Sequence, residues 1–525
     1  MALARTYAIA LAGVRGHVVE IEADIENGLV AMLLVGLPDT ALREARDRIR
    51  SAIVNSRQAW PQRRITVGLS PASLPKRGSG FDVAIAVAIL SADGAVPKEG
   101  ISGTVFLGEL GLDGRIRSIP GVLPAVAAAA EAGFGSVVVA PQNAAEAALI
   151  PSMRVVSAAS LCDLIGWLRD PARDDLAPAS ALAGVSVVDS GAGLAPPGGP
   201  AHPDAPLRDL ADVVGQPVAR RAAEICAAGG HHLLLLGPPG VGKTLLAERL
   251  PTIMPPLEPA AALEVSAIHS VAGTLPADRP LVTEPPFCAP HHTATKAAIV
   301  GGGSGIVRPG AASLAHHGCL FLDEAPEFDR DVLDALRQPL ESGELVVARS
   351  GVTARFPARF MLLLAANPCP CARTTAAGSG CTCSPLVRRR YLARLSGPLL
   401  DRVDVKVELL PVGRAELLSD RQLAEPSAIV AGRVAEARRR AERRLRNTRW
   451  RLNAEIPGSE LRRRFWPAPG ALGPLEQAMD RGQLSARGAD RILRMSWTLA
   501  DLAGRDRPGL SEIGMALGLW LGTGL

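Results

Sequence analysis

Four leucines, Leu233-Leu234-Leu235-Leu236, run directly into Gly237-Pro238-Pro239-Gly240-Val241-Gly242-Lys243-Thr244. An apolar strand that enters a glycine-rich turn and then a helix is the setting in which GxxxxGK[ST] works as a phosphate loop. Glycines let backbone N–H groups converge on phosphate oxygens, and the helix N-terminus adds partial positive charge. In this frame residues Gly237 to Thr244 cradle ATP, Lys243 reaches the β- and γ-phosphates, and Thr244 ligates Mg2+. Lys243 is one of five lysines among 57 basic residues. The chain prefers arginine elsewhere and keeps the compact ammonium here. A chance glycine-rich turn would not be expected to combine strand, lysine and threonine.

A phosphate loop needs an acidic strand end beside it. Cys319-Leu320-Phe321-Leu322-Asp323-Glu324 supplies one. Asp323 can hold Mg2+ through water, and Glu324 can polarise an attacking water. Read alone, the stretch is equally an ordinary strand ending in an acidic turn. Phe360 to Ala366 reads as another strand, ending in Asn367. Asn367 can hold the same water or sense the γ-phosphate, or simply form a turn before Pro368.

At 525 residues, 48% hydrophobic and 21% charged, the chain is globular with room for several domains. No apolar run is long enough to span a membrane, and no secretory leader is evident. With eight cysteines, half of them in one cluster, a reducing cytoplasm is expected rather than a disulfide framework. The net charge of +5 permits nucleic acid without requiring it. Aromatics make up only 3%, so any grip on a strand should rest on arginine and phosphate.

Strand-like and helix-like segments alternate over residues 1–170. A stretch rich in Pro, Gly, Ala and Asp follows at 171–206 and reads as a flexible linker. Strand–helix alternation over 207–412 favours a parallel α/β sheet. Residues 413–525 read as helical, and eight arginines fall between 438 and 451.

Several motifs carry a resemblance to AAA+ ATPases, and within them to the magnesium-chelatase-like YifB/ComM family. They include Asp212-Val213-Val214-Gly215-Gln216, Pro290-His291-His292-Thr293, Ser313-Leu314-Ala315-His316, Leu336-Arg337-Gln338-Pro339-Leu340-Glu341 and Asn367-Pro368-Cys369-Pro370-Cys371. The similarity runs from near residue 1 to about 500. The resemblance implies an α/β fold with three parts: a Lon-protease-like (ribosomal S5 domain 2-like) α+β domain, an AAA+ core and a C-terminal helical lid. It implies that Arg402 is an arginine finger reaching a neighbour's γ-phosphate, hence a homohexameric ring, and that Arg487 is the sensor-2 arginine of the lid. It also implies that the hairpin 344–355, with Arg349 at its tip, and the insertion 285–309 face the pore, where Arg349 can follow DNA. His291 and His292 read as packed or capping residues rather than metal ligands.

Cys369, Cys371, Cys381 and Cys383 form CxC–x9–CxC, a set able to hold structural Zn2+ or to act as reduced thiols that stabilise a loop. Residues 75–147 resemble Lon proteases, yet Gly80 stands where the nucleophilic serine should be, Ser79 is one residue off, and no lysine lies between Lys98 and Lys243. The family implies an ATP-driven motor on branched or single-stranded DNA that promotes branch migration of recombination intermediates. The alternatives are a metal-insertion ATPase like the magnesium chelatase AAA+ subunit and, behind it, an ATP-dependent protease.

Overall fold

From Val19 to Ile25 the strand Arg15–Glu26 alternates buried and half-buried residues, the pattern of a strand with one face in a core. In the computed structural model it pairs antiparallel with Ala2–Ala12 and with Arg64–Ser70. The structure describes residues 2–36, 40–74, 76, 78–170, 181–182, 185–188, 208–303, 307–349, 352–371, 381–413, 418–420 and 424–522. The first sheet has nine strands. In spatial order they are Ala181–Leu182, Val185–Val188, Arg154–Ala158, Ser136–Val139, Thr104–Phe106, Ala2–Ala12, Arg15–Glu26, Arg64–Ser70 and Ala31–Val35. Helix Asp82–Ala92 lies against it with every residue buried, as its nearly unbroken apolar sequence requires.

Two of those strands fall inside 171–206. Val185–Val188 pairs with Arg154–Ala158, so that part of the expected linker belongs to the sheet. Alternating valines in a Pro- and Gly-rich background are too short a signal to separate strand from tether. The remainder of 171–206 lies outside the described residues.

The second sheet has five strands, all parallel, in the order Phe287–Cys288, Cys319–Leu322, Met361–Ala366, Leu233–Leu236, Val405–Glu408. Strand Met361–Ala366 is buried throughout, as expected of a central parallel strand covered on both faces. Phe287–Cys288 sits within the stretch expected to be a pore insertion. Its two residues extend the sheet instead, and the described residues of that stretch include helix Lys296–Val300 and the ribbon Gly301–Gly302/Arg308–Pro309.

Helices Ser427–Leu445, Gly458–Arg464, Gly473–Asp480, Ala486–Leu502 and Leu510–Leu521 follow the second sheet. Val430, Ile492, Leu493 and Trp520 share one buried cluster with Leu233, Leu235 and Leu246 of the phosphate-loop unit. The first sheet's unit touches the core through helices Val122–Glu131 and Pro259–Ala272. There the buried Glu146 carboxylate accepts from the Ser270 hydroxyl and, at 2.8 Å, from Leu123 N–H. Hairpin Glu344–Arg349/Val352–Pro357 also reaches back, with Arg355 bridged to Gly13. A Cβ on Gly13, whose φ is +70°, would lie 2.4 Å from the Arg355 carbonyl oxygen. Among the described residues, no helix is long and apolar enough to cross a membrane.

Candidate nucleotide site

The parallel register explains why residues distant in sequence converge. Leu236 pairs with Ala366, and Leu322 with Leu364. Gly237, Asp323 and Asn367 therefore leave the carboxyl ends of three neighbouring strands, the edge where α/β sheets bind ligands. Lys243 opens helix Lys243–Arg249 and is 8% exposed. Its ammonium donates to the carbonyls of Gly237 (2.6 Å) and Pro238 (2.8 Å) and to Asn367 Oδ1 (3.0 Å). Burial pulls its pKa down, against the pull of Asp323 and Glu324. Thr244 Oγ1 donates to Asp323 Oδ2 at 2.7 Å.

The loop leaves space above it. Gly240 and Gly242 have φ of +80° and +94°, and a Cβ on either would meet nothing within 4 Å. Gly237 is different, since a Cβ there would lie 2.5 Å from the Leu409 carbonyl oxygen. An open cradle of N–H groups, a buried ammonium and a hydroxyl–carboxylate pair suit a nucleoside triphosphate and Mg2+.

Glu324 adopts a left-handed backbone, φ 50° and ψ 42°, unusual for a non-glycine residue. Its Oε2 lies 3.4 Å from His292 Nδ1, and His292 stacks on His291 with centroids 4.1 Å apart. The sequence flagged this His-His pair without finding its partner. Gln216 was also missed as a site residue; its Nε2 donates to Leu410 O at 2.8 Å and to Val241 O at 3.4 Å, tying helix Pro217–Gly229 to the loop.

Arg402 belongs to a second group. Its guanidinium meets the Glu341 carboxylate and the Pro398 carbonyl, and the side chain is 11% exposed. Burial lowers its pKa, and the charges of Arg337, Arg491 and Arg487 lower it further. Arg491 donates to the Arg402 carbonyl at 2.9 Å and to Asp404 Oδ1 at 2.5 Å. Burial would raise the Asp404 carboxyl, but His231 and Arg491 hold it well below the usual range. Asp404 lies in the motif read for Arg402, so its position was visible and its role was not.

Four cysteines gather. Cys369 lies 3.2 Å from Cys371 and 3.3 Å from Cys381, Cys371 lies 3.5 Å from Cys381, and all four sulfurs fall within 4.8 Å of one another. Tetrahedral zinc with Zn–S of about 2.3 Å would space its sulfurs by about 3.8 Å, so the set fits after a small expansion. A backbone hydrogen bond from Cys383 and the Cys369 thiol hold Cys381 down at about 6, while burial and Cys371 push Cys369 up to about 12.

Glu264, His316 and His317 make another cluster of ligand types. Arg359 N–H donates to His316 Nδ1 at 3.0 Å, so the neutral ring carries its proton on Nε2, 3.2 Å from Glu264 Oε2. A metal would need the lone pair that this proton occupies, so the cluster is a carboxylate–imidazole bridge. Elsewhere, Ser79 Oγ donates to the Glu109 carboxylate and the buried Lys76 donates to the Pro71 carbonyl. The backbone of Arg349 ends its strand; its side chain lies outside the described residues.

The family described as "Magnesium chelatase, subunit ChlI" matches residues 209–417, the span that builds this site. "Subunit ChlI of Mg-chelatase" matches 21–143, and "Magnesium chelatase, subunit ChlI C-terminal" matches 424–519. Competence protein ComM of Haemophilus influenzae is 40% identical over 521 residues, 99% of this chain and 97% of that one. The chain belongs to the magnesium-chelatase-like ComM/YifB family. An uncharacterized protein of Mycobacterium tuberculosis is 51% identical over 518 residues, 98% of each chain. Uncharacterized protein YifB of Escherichia coli K12 is 38% identical over 504 residues, 96% of this chain and 94% of that one. Membership in the ComM/YifB family supports an AAA+-like ATPase, with ATP and Mg2+ as its cofactors.

Proposed function

We propose that this protein is a ring-forming, ATP-driven motor that acts on DNA, working in the cytoplasm and promoting branch migration of recombination intermediates. The observation that carries the ATPase part is the meeting of Lys243 with Asn367 and of Thr244 with Asp323 at one sheet edge. Bound Mg·ATP supplies the phosphoanhydride whose terminal phosphoryl passes to water. Lys243 would exchange its carbonyl partners for phosphate oxygens, Gly240, Val241 and Gly242 would offer backbone N–H groups, and Thr244 and Asp323 would hold Mg2+. Glu324 takes the proton of the attacking water, and Asn367 fixes that water's position. Arg402 lies in a separate arginine group, which supports its use on a neighbouring subunit's nucleotide. The role in DNA transactions rests on likeness to the relative named as a competence protein.

The test is ATP hydrolysis with single-stranded, duplex and four-way-junction DNA, comparing wild type with Glu324→Gln. Wild type should be stimulated by at least one DNA. The variant should bind ATP and lose about a hundredfold or more in kcat. Lack of stimulation by every DNA removes the motor reading. Stimulation by a porphyrin instead would favour metal insertion, a reading that the magnesium-chelatase family matches support.

We further infer that Cys369, Cys371, Cys381 and Cys383 hold one structural Zn2+, with no open position for chemistry. Metal analysis should return one zinc per chain, lost on Cys381→Ser; metal-free, fully folded protein would refute it.

A further inference from the structure

Two arginine-dense helices stand in this chain and use their charge differently. On Ser427–Leu445 the guanidiniums are engaged. Arg433 pairs with Glu224 and Glu425, and Arg438 donates to the Ala227 carbonyl at 2.6 Å. Arg439, Arg440 and Arg443 surround Glu436, and Arg444 pairs with Asp501. On Pro385–Leu392 the adjacent residues Arg388, Arg389 and Arg390 are all exposed, and among the described residues none of their side chains has an ion pair or hydrogen bond.

This second helix is pinned from beneath. Tyr391 is buried, and Arg394 just past its end donates to Pro326 O (3.1 Å) and pairs with Glu327 (3.0 Å). Ser384 caps its start by accepting from Val387 N–H at 3.4 Å. The cysteine cluster ends at Cys383, immediately before that cap. A fixed underside with three cations that find no partner among the described residues is a platform rather than a solvated tail.

We propose that Arg388, Arg389 and Arg390 are a contact site for the phosphate backbone of nucleic acid, the grip through which the motor proposed above holds its strand. Successive helix residues turn by about 100°, so the three side chains spread over about 200° of the helix circumference, and their long stems let the guanidiniums reach different phosphates. A chain with 3% aromatic residues has little to stack on bases, so an ionic grip suits its composition. Leu386 and Val387 are 57% and 41% exposed in the same helix, which makes a neighbouring protomer the competing occupant.

The experiment measures binding of fluorescein-labelled single-stranded and duplex oligonucleotides by anisotropy between about 50 and 200 mM salt. It uses the full chain and the triple variant Arg388→Gln/Arg389→Gln/Arg390→Gln. The variant should bind at least tenfold more weakly at low salt, and its log–log salt slope should be shallower by about 2. Lysine at all three positions should restore most of the slope, because the charge is kept. Arg439→Gln/Arg443→Gln, which removes engaged arginines, should stay within twofold of wild type. Circular dichroism and sedimentation velocity report fold and assembly. Unchanged affinity and slope in the glutamine variant overturn the site while leaving the motor reading intact. A change in its assembly assigns the helix to a neighbouring protomer and also overturns it. Wild type that binds no DNA at any salt overturns both the site and the motor reading.

Discussion

His232 lies half-buried beside the phosphate-loop strand, and its Nδ1 accepts the Leu362 N–H at 3.0 Å. That geometry needs a neutral ring. Burial lowers its pKa from 6.5 to about 4, with Arg491 and His231 helping and Asp404 opposing. The unfolded chain therefore binds more protons than the folded one between pH 6.5 and 4, so this residue's contribution to stability falls as pH drops through that window. The full loss would be about 3 kcal/mol. Asp82 works the other way, since burial holds its carboxyl up at about 6 despite Arg48. The comparison that isolates His232 is with His232→Asn, which keeps an acceptor and removes the titration. Urea unfolding should show wild type losing stability more steeply than the variant from pH 6.5 to 4; parallel curves would exclude this account. Lys243, Thr244, Asp323, Glu324 and Asn367 could be picked out in the sequence because motif spacing and strand ends coincide. Gln216 stands in a motif the sequence shows, but nothing local reveals the roles of His232 or Gln216, whose partners are 130 and 194 residues away.

Elements were legible where period and length agreed. The hairpin 344–355 emerged as Glu344–Arg349 and Val352–Pro357, and the four-leucine run as a strand. The two-residue strand Phe287–Cys288 was not legible, since it exists only by pairing with Cys319–Leu322. The arginines of Ser427–Leu445 read alike in the sequence, yet the structure divides them between buried partners, as for Arg438 and Arg444, and exposed ion pairs, as for Arg439 and Arg443. Arg444 makes two 2.6 Å bonds to the buried Asp501, another to Asn453 at 2.8 Å, and stacks on Trp497 at 4.3 Å. Arg444→Ala would leave Asp501 as an uncompensated buried charge. The variant should lose about 3–5 kcal/mol in chemical unfolding. A loss below about 1 kcal/mol, the range of an exposed ion pair, would return Arg444 to the surface class.

At the scale of the molecule, the ring proposal turns on Arg402, whose guanidinium meets Glu341 and the Pro398 carbonyl. Under the ring proposal, Arg402→Ala should bind ATP as wild type does and lose nearly all hydrolysis. Mixing it with Lys243→Ala subunits should restore part of the turnover, because one subunit brings the phosphate loop and the other the guanidinium. Unchanged turnover in Arg402→Ala alone would show that the finger is misassigned. The first sheet's unit is joined to this machinery at two places, the Glu146–Ser270 contact and the Gly13–Arg355 bridge. A hairpin expected only to face a pore is thereby also held by the N-terminal unit.

The amino-acid sequence alone determined the parallel α/β core, the phosphate loop, the acidic strand end and the family, because those depend on short-range order: strand, turn and helix in succession with fixed chemistry at fixed spacing. Tertiary structure decided which arginines among the described residues are engaged and which are free, and that Glu324 meets His292. Charge and burial are relations between residues far apart in the chain. A guanidinium reads the same in sequence whether a carboxylate or only water lies opposite it.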